Sequence, residues 1–222
     1  MRARFLAVLA AGVLVSQAVA QSDAAAQEAE TVGKSAGDMM LRFRVIGVIP
    51  ETDGTISPAI NGHPDISSEP WPELDFSYFL TRNLALEVIA ASPQHDVHWR
   101  DSAAGSLDLG KVRLLPPTLT LQYHFFPDSD ISPYVGAGIN YTWFYDRSGP
   151  RSPAVTSVHY EDGVGAVLQI GVDYRLTGRW YVNFDVKQIF LNTTVTLNGG
   201  ALATAKVDIN PTIVAAGVGY RF

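Results

Sequence analysis

"TLTLQYHFFPDSDISPYVGAGINYTWFY", Thr118 to Tyr145, decides how the rest of the chain is read. In its first arm Leu119, Leu121, Tyr123 and Phe125 alternate with Thr118, Thr120, Gln122 and His124. In its second arm Val135, Ala137, Ile139, Tyr141 and Trp143 alternate with Gly136, Gly138, Asn140 and Thr142. A period of two sends successive side chains to opposite faces of a strand, and no helix has that period. Each arm has one continuously apolar face, and only Pro127 to Ile131 separates the arms. The pattern predicts a tight hairpin whose apolar face must be received by something other than water.

Working outward, the alternation recurs at Leu41, Phe43 and Val45; at Leu74, Phe76 and Tyr78; and at Leu84, Leu86 and Val88. It returns at Ala166, Leu168, Ile170, Val172 and Tyr174; at Trp180, Val182, Phe184 and Val186; and at Val214, Ala216, Val218, Tyr220 and Phe222. Together these make eight strands and no helical pattern.

Connector lengths select the architecture. Thr81-Arg82-Asn83, Pro127 to Ile131 and Thr177-Gly178-Arg179 are short, whereas Pro50 to Pro70, His95 to Lys111, Asp146 to Asp162 and Asn192 to Ala205 are long. Strict alternation puts the tight turns at one rim and the long loops at the other, as in an outer-membrane barrel and unlike a Greek-key sandwich. Tyr78, Phe125, Tyr134, Tyr174, Trp180, Tyr220 and Phe222 gather toward the short-turn rim; Trp71, Trp99, Tyr141, Trp143 and Tyr145 gather toward the loop rim. Two such belts fit the two lipid–water boundaries. The expected fold is all-β: an eight-stranded antiparallel transmembrane β-barrel with short periplasmic turns and long extracellular loops, its last strand pairing with its first to remove the edge.

The rest of the composition agrees. Met1 to Ala20 carries Arg2 and Arg4, an apolar run from Phe5 to Val15, and Ala18-Val19-Ala20, the order of a cleaved secretory signal. Residues 21–37, "QSDAAAQEAETVGKSAG", hold almost no bulky apolar side chain and are expected to be a flexible leader, with the barrel spanning 38–222. Without the signal the basic residues fall from 16 to 14 against 22 acids, a net charge of −8 that argues against nucleic acid as a partner. There are no cysteines, so an exported chain must be held together without disulfides.

Several stretches resemble the OmpW family of outer-membrane proteins: "PELDFSYFLTRNLALEVIAASPQHDV" (72–97), "LLPPTLTLQYHF" (114–125), "PYVGAGINYTWFY" (133–145), "GVDYRLTGRWYVNFDVKQI" (171–189) and "GVGYRF" (217–222). The resemblance implies a bacterial outer-membrane barrel with periplasmic termini, associated with passage of small hydrophobic molecules. Tyr220 and Phe222 resemble the C-terminal aromatic signal that the barrel-assembly machinery reads. The expected surroundings are the lipid bilayer and lipopolysaccharide, and the expected passengers small hydrophobic solutes.

Eight strands enclose room for side chains or one small ligand, not a broad aqueous pore. By parity, the periplasmic half of the lumen receives Arg42, Arg44, Glu87, Gln122, His124, Asn140, Asp173, Arg175, Asn183, Asp185, Lys187 and Arg221, a polar plug. The extracellular half receives Ile46, Val48, Ile89, Ala91, Phe144, Val167, Ile189, Leu191, Val207, Ile209, Pro211 and Ile213. Barrel lumens are ordinarily polar, so an apolar upper half calls for a reason. The expectation is a hydrophobic funnel whose solute leaves sideways where Pro116 and Pro117, read as part of the fourth strand, break the hydrogen-bond ladder, with Pro93 and Pro211 widening the break. The alternative is that the upper strand ends rise above the membrane and pack a small core of their own.

The remaining motifs carry less. His95-Asp96-Val97-His98, with His63 or His159, has metal-ligand residue types, but the loop spacing favours solvated side chains, and no metal or cofactor is expected. Gly163-Val164-Gly165 and Gly217-Val218-Gly219 lack the rest of a dinucleotide fingerprint and read as small inward residues that make room for bulky neighbours. A lipid-processing enzyme is a rival class; His124, with Asp173, Arg175 and Asn183 at its depth and no inward serine beside it, fits a structural partner better than a catalytic base. A structural or receptor barrel without solute flux is the third class.

Overall fold

The computed structural model describes residues 33–49, 53–56, 63–67, 69–102, 105–147, 149–153, 155–198 and 203–222. The expected signal, 1–20, and residues 21–32 of the expected leader lie outside them. In chain order the strands are β1 (Met39–Ile49), β2 (Asp53–Ile56), β3 (His63–Ile66), β4 (Pro70–Phe79), β5 (Leu84–Ala91), β6 (Gln94–Ser102), β7 (Gly105–Leu115) and β8 (Thr118–His124). They continue with β9 (Ile131–Arg147), β10 (Val158–Tyr160), β11 (Gly163–Thr177), β12 (Trp180–Phe190), β13 (Asn192–Leu197), β14 (Ala203–Asp208) and β15 (Thr212–Arg221).

Eight of these close a ring of antiparallel neighbours in the order β1, β4, β5, β8, β9, β11, β12, β15, and β15 returns to β1 with Met40 opposite Arg221 and Ile49 opposite Thr212. They contain the eight strands read from the sequence. The alternation decides which side faces in: on β1, Met40, Arg42, Arg44, Ile46 and Val48 are buried while Leu41, Phe43 and Val45 stand outside. Ile139 and Ile170 are 60% and 61% exposed, values tolerable for a whole band of apolar side chains only in contact with lipid. Tight turns close the periplasmic end; in one, the Thr81 hydroxyl accepts hydrogen bonds from the Asn83 and Leu84 amides.

Close approach of β1 to β15 depends on Gly217. A Cβ there would lie 2.1 Å from the Phe43 carbonyl oxygen and 2.6 Å from Arg44 Cα, so only hydrogen leaves room for the inward arginine. Gly171 likewise lies under the ring of Tyr134.

The long connections are not irregular loops, and here the sequence reading is corrected. β6 and β7 form a hairpin, with β3 added to β6 and the upper end of β9 paired to β7; β10, β13, β14 and β2 form a separate four-stranded sheet. His95, Val97 and Trp99 alternate with Asp96 and His98, but the histidines and aspartate masked the period as a polar loop. The inner faces of these hairpins pack Val97, Trp99, Leu107, Leu109, Val112, Phe144, Val155, Tyr160, Val195, Leu197 and Val207 into one cluster. Upper strand ends therefore do build a core of their own, set directly above the lumen.

Three aromatics leave the expected belts, Trp71 among them, which sits opposite Ile46 and packs on the lumen cluster of Ile46, Val48 and Ala91. Tyr134 is fully buried inside the barrel and Trp99 is buried in the upper core. Pro116 and Pro117 lie between β7 and β8, not within a strand. Having no N–H to donate, they end the ladder of β8, while the Pro117 carbonyl still accepts the Tyr141 amide at 3.0 Å. The Pro211 carbonyl accepts the Ile189 amide at 3.1 Å, so the chain stays bonded to β12 at that point.

Candidate functional site

The lumen is divided into two layers of opposite character. In the lower one, Arg42 extends from β1 and donates to Asp75 at 3.1 Å, to the Ser77 hydroxyl at 2.7 Å and to Asp173 at 2.9 Å. Arg44, one inward position higher, donates to Glu73 at 2.7 Å and to the Asn183 amide oxygen at 3.2 Å, and lies 2.9 Å from Asp75 and 3.5 Å from Glu87. Lys187 pairs with Asp185 and lies 3.7 Å from Glu87. Asp185 also accepts the Tyr134 hydroxyl and the Gln169 amide, each at 2.7 Å. Planar guanidinium forks suit this arrangement, since each can serve several carboxylates on neighbouring strands at once.

A residue from before the first strand completes the plug. Lys34 is buried and donates to Asp173 at 2.8 Å, to the Ser132 hydroxyl at 3.0 Å and to His124 Nδ1 at 2.8 Å. An ammonium only donates, so Nδ1 is the bare nitrogen of His124, and Nε2 carries the proton given to Gln122 at 3.0 Å. Burial pulls the Lys34 ammonium down to about 8, against the opposing pull of Asp173. Lys34 falls within the stretch expected to be a flexible leader; the described end of that stretch, 33–37, is instead tied to the barrel, with the Lys34 amide on the Pro127 carbonyl at 2.9 Å and the Gly37 amide on Phe79 at 2.8 Å.

The predicted plug residues divide accordingly. Arg42, Arg44, Glu87, Gln122, His124, Asp173, Asn183, Asp185 and Lys187 are brought together in the sealed layer. Arg175 is not among them: it turns to the rim and pairs with Asp130 at 2.8 Å. Arg221 is buried at the same rim beside Asp38, at 2.9 Å. Glu73, Asp75, Ser77, Tyr134 and Gln169 were missed, although all share the parity of named inward neighbours. Lys34 had no signal at all. Ser132 was missed as well, and joins His124 through Lys34, with both side chains sealed from solvent.

Above the plug lies an apolar cavity of about 110 Å³. Its walls include Ile46, Val48, Ile89, Ala91, Phe144, Ile189, Leu191, Val207, Ile209, Pro211 and Ile213, eleven of the twelve predicted upper-lumen residues. Val167 is buried against Ile189 and Leu191 beside it. Glu73 and Lys187 reach it from the plug, and Thr118, Asn140 and Thr142 from β8 and β9. The volume is comparable with that of an engineered ~150 Å³ apolar cavity that stays dry and binds benzene.

The wall is weakest beside the prolines. Pairing of β5 with β8 ends at Ile89 opposite Thr118, and the next bond is from the Leu114 amide to the Pro93 carbonyl at 3.2 Å. Between those points Ala90 and Ala91 pair with β4 alone. On the lipid side an open groove of about 350 Å³ lies over the interruption, lined by Phe43, Pro72, Leu74, Ala90, Ser92 and Leu115 together with Glu73 and Ala91. Glu73 and Ala91 thus line both the inner cavity and the outer groove. Among the described residues no three His, Asp or Glu side chains converge as a metal site; the side chain of His63 lies outside the described set.

Comparison with known proteins places this geometry. The family model described as "OmpW family" matches residues 35–222. An uncharacterized outer-membrane protein of Sinorhizobium fredii is 38% identical over 97% of this chain and 93% of its own length. Outer membrane protein W of Vibrio cholerae is 33% identical, over 90% of this chain and 95% of its own. Among solved structures, outer membrane protein OprG of Pseudomonas aeruginosa superposes with a TM-score of 0.77 at 27% identity, covering 86% of this chain and 98% of that one.

Proposed function

The chain belongs to the OmpW family and is an outer-membrane β-barrel, and from that premise we propose that it gives small hydrophobic molecules a passive route across the outer membrane. The solute enters the apolar upper lumen from the side of the hairpins, rests on the polar plug and leaves sideways into lipid between β5 and β8, beside Pro116 and Pro117. The observation that supports this most directly is the sharing of Glu73 and Ala91 between the cavity and the outer groove: one thin stretch of wall separates the two.

The energetics suit a conduit better than a store. At about 25 cal/mol per Å² of apolar surface, a solute burying roughly 100 Å² gains about 2.5 kcal/mol, enough for transient occupancy and too little for retention. The plug turns the solute aside, because its Lys34, Arg42, Arg44 and Lys187 face Glu73, Asp75, Glu87, Asp173 and Asp185 in a layer without apolar accommodation. The role is non-catalytic in this reading: His124 and Ser132 act as hydrogen-bond partners of Lys34. Tyr220 and Phe222, packed edge to face at 4.9 Å, are proposed as the mark read by the barrel-assembly machinery, and lipopolysaccharide as the outer-leaflet neighbour.

A receptor role has one observation in its favour, the packed core that orders the extracellular hairpins. Uptake in liposomes separates the two. Ile46→Asp and Ile209→Asp are expected to abolish entry of an apolar tracer while the barrel still folds; unchanged entry would remove the conduit. Mass spectrometry of lipid A incubated with the protein tests the enzymatic rival, which gains if an acyl chain is released.

A further inference from the structure

The cavity is greasy, but one side-chain nitrogen on its wall has no partner among the described residues. His95, on β6, lines the cavity and is buried. Its Nδ1 lies 2.8 Å from the Ser67 carbonyl oxygen, which can only accept, so Nδ1 carries a proton, and with one proton on the ring Nε2 is a bare acceptor. The ring is held there by two further bonds at the same strand end: Ser67 N–H donates to the Asp96 carbonyl at 3.1 Å, and Asp96 N–H to the Ser67 hydroxyl at 2.9 Å. No second partner for His95 exists among the described residues. The other polar groups on the cavity wall are engaged. Glu73 accepts from Arg44, Lys187 pairs with Asp185, and Thr118, Asn140 and Thr142 are linked to one another and to the Pro116 carbonyl.

A buried acceptor left unmatched costs free energy, and a ligand that supplies the missing donor recovers it. We propose that His95 makes this cavity a binding site for small apolar molecules carrying one hydroxyl group, with Nε2 accepting the ligand O–H and the aliphatic walls taking its body. The volume of about 110 Å³ limits the body to roughly a single six-membered ring or its open-chain equivalent. A carboxylate is a poor candidate, since a bare Nε2 offers it no proton and the plug below carries five carboxylates against four cations. Placement next to Pro93 sets His95 at the upper edge of the wall interruption, where a passing solute is oriented hydroxyl first.

This inference rests on the conduit reading for its passenger, but its test does not. Phenol and toluene share a ring and differ in hydroxyl against methyl. The full chain, labelled with ¹⁵N-histidine and held in lipid nanodiscs, is titrated with each. Phenol is expected to move one imidazole nitrogen resonance, absent from His95→Phe, and toluene to leave it in place. Phenol should also bind about five- to tenfold more tightly than toluene to the native protein, a ratio that falls to near one in His95→Phe. An unmoved His95 resonance, or one moved equally by both solutes, overturns the hydroxyl site even if both solutes cross the membrane. A phenol-specific shift with no flux of either solute upholds the site and overturns the conduit.

Discussion

Lys34 and Asp173 form an ion pair at 2.8 Å, both sealed from solvent, joining a residue ahead of the first strand to the periplasmic half of β11. Asp173 serves Arg42 as well, at 2.9 Å, so the two partners are not equivalent. Asp173→Asn leaves Lys34 without a carboxylate and Arg42 with Asp75 alone, and is expected to cost about 3–5 kcal/mol. Lys34→Met leaves Asp173 with Arg42 and removes a costly desolvated ammonium, so roughly 1–2 kcal/mol is expected. Urea unfolding in detergent, followed by tryptophan fluorescence, measures both; a larger loss for Lys34→Met would contradict the hierarchy.

Gly217 and Ala216 are neighbours that face opposite ways. Gly217→Val drives a methyl-bearing carbon into the Phe43 backbone and should prevent closure of β15 on β1, with loss of the fast-migrating folded band on unheated gels. Ala216→Val, on the lipid side, should change stability by no more than about 0.5 kcal/mol.

Ala90→Trp fills the groove outside the interrupted wall without entering the lumen. Entry of an apolar tracer into proteoliposomes is expected to fall at least fivefold while stability stays within about 1 kcal/mol of the native value. Full-speed entry with the groove occupied would place the exit elsewhere.

Ile170 lies midway along β11 with its side chain toward lipid. Ile170→Arg should cost about 2–4 kcal/mol in vesicle folding titrations. A negligible cost would mean that this face meets water.

Parity carried most of this fold. Because a strand has only two faces, naming Leu119 and Val135 as outward fixed His124 and Asn140 as inward, and one apolar lumen residue after another followed. The same rule already contained Tyr134, Asp75 and Gln169; Tyr134 was set aside for a belt, and Asp75 and Gln169 went unnamed although their positions pointed inward. The hairpins were hidden for a different reason. Their alternation runs through His95, Asp96 and His98, residue types that read as solvent-facing until a second sheet covers them. Lys34 lay beyond any periodic signal, since a single side chain inserted from a polar segment is recognised only by the pocket that receives it. The prolines were noticed but misplaced: they stop a strand and do not sit within one.

The plug has one more consequence. Arg42 and Arg44, engaged on several sides, fill the lower layer of the lumen with paired charge. On the proposed route, selection works by polarity instead of width. Many copies of such a barrel could then serve apolar solutes without offering hydrophilic ones an aqueous pore.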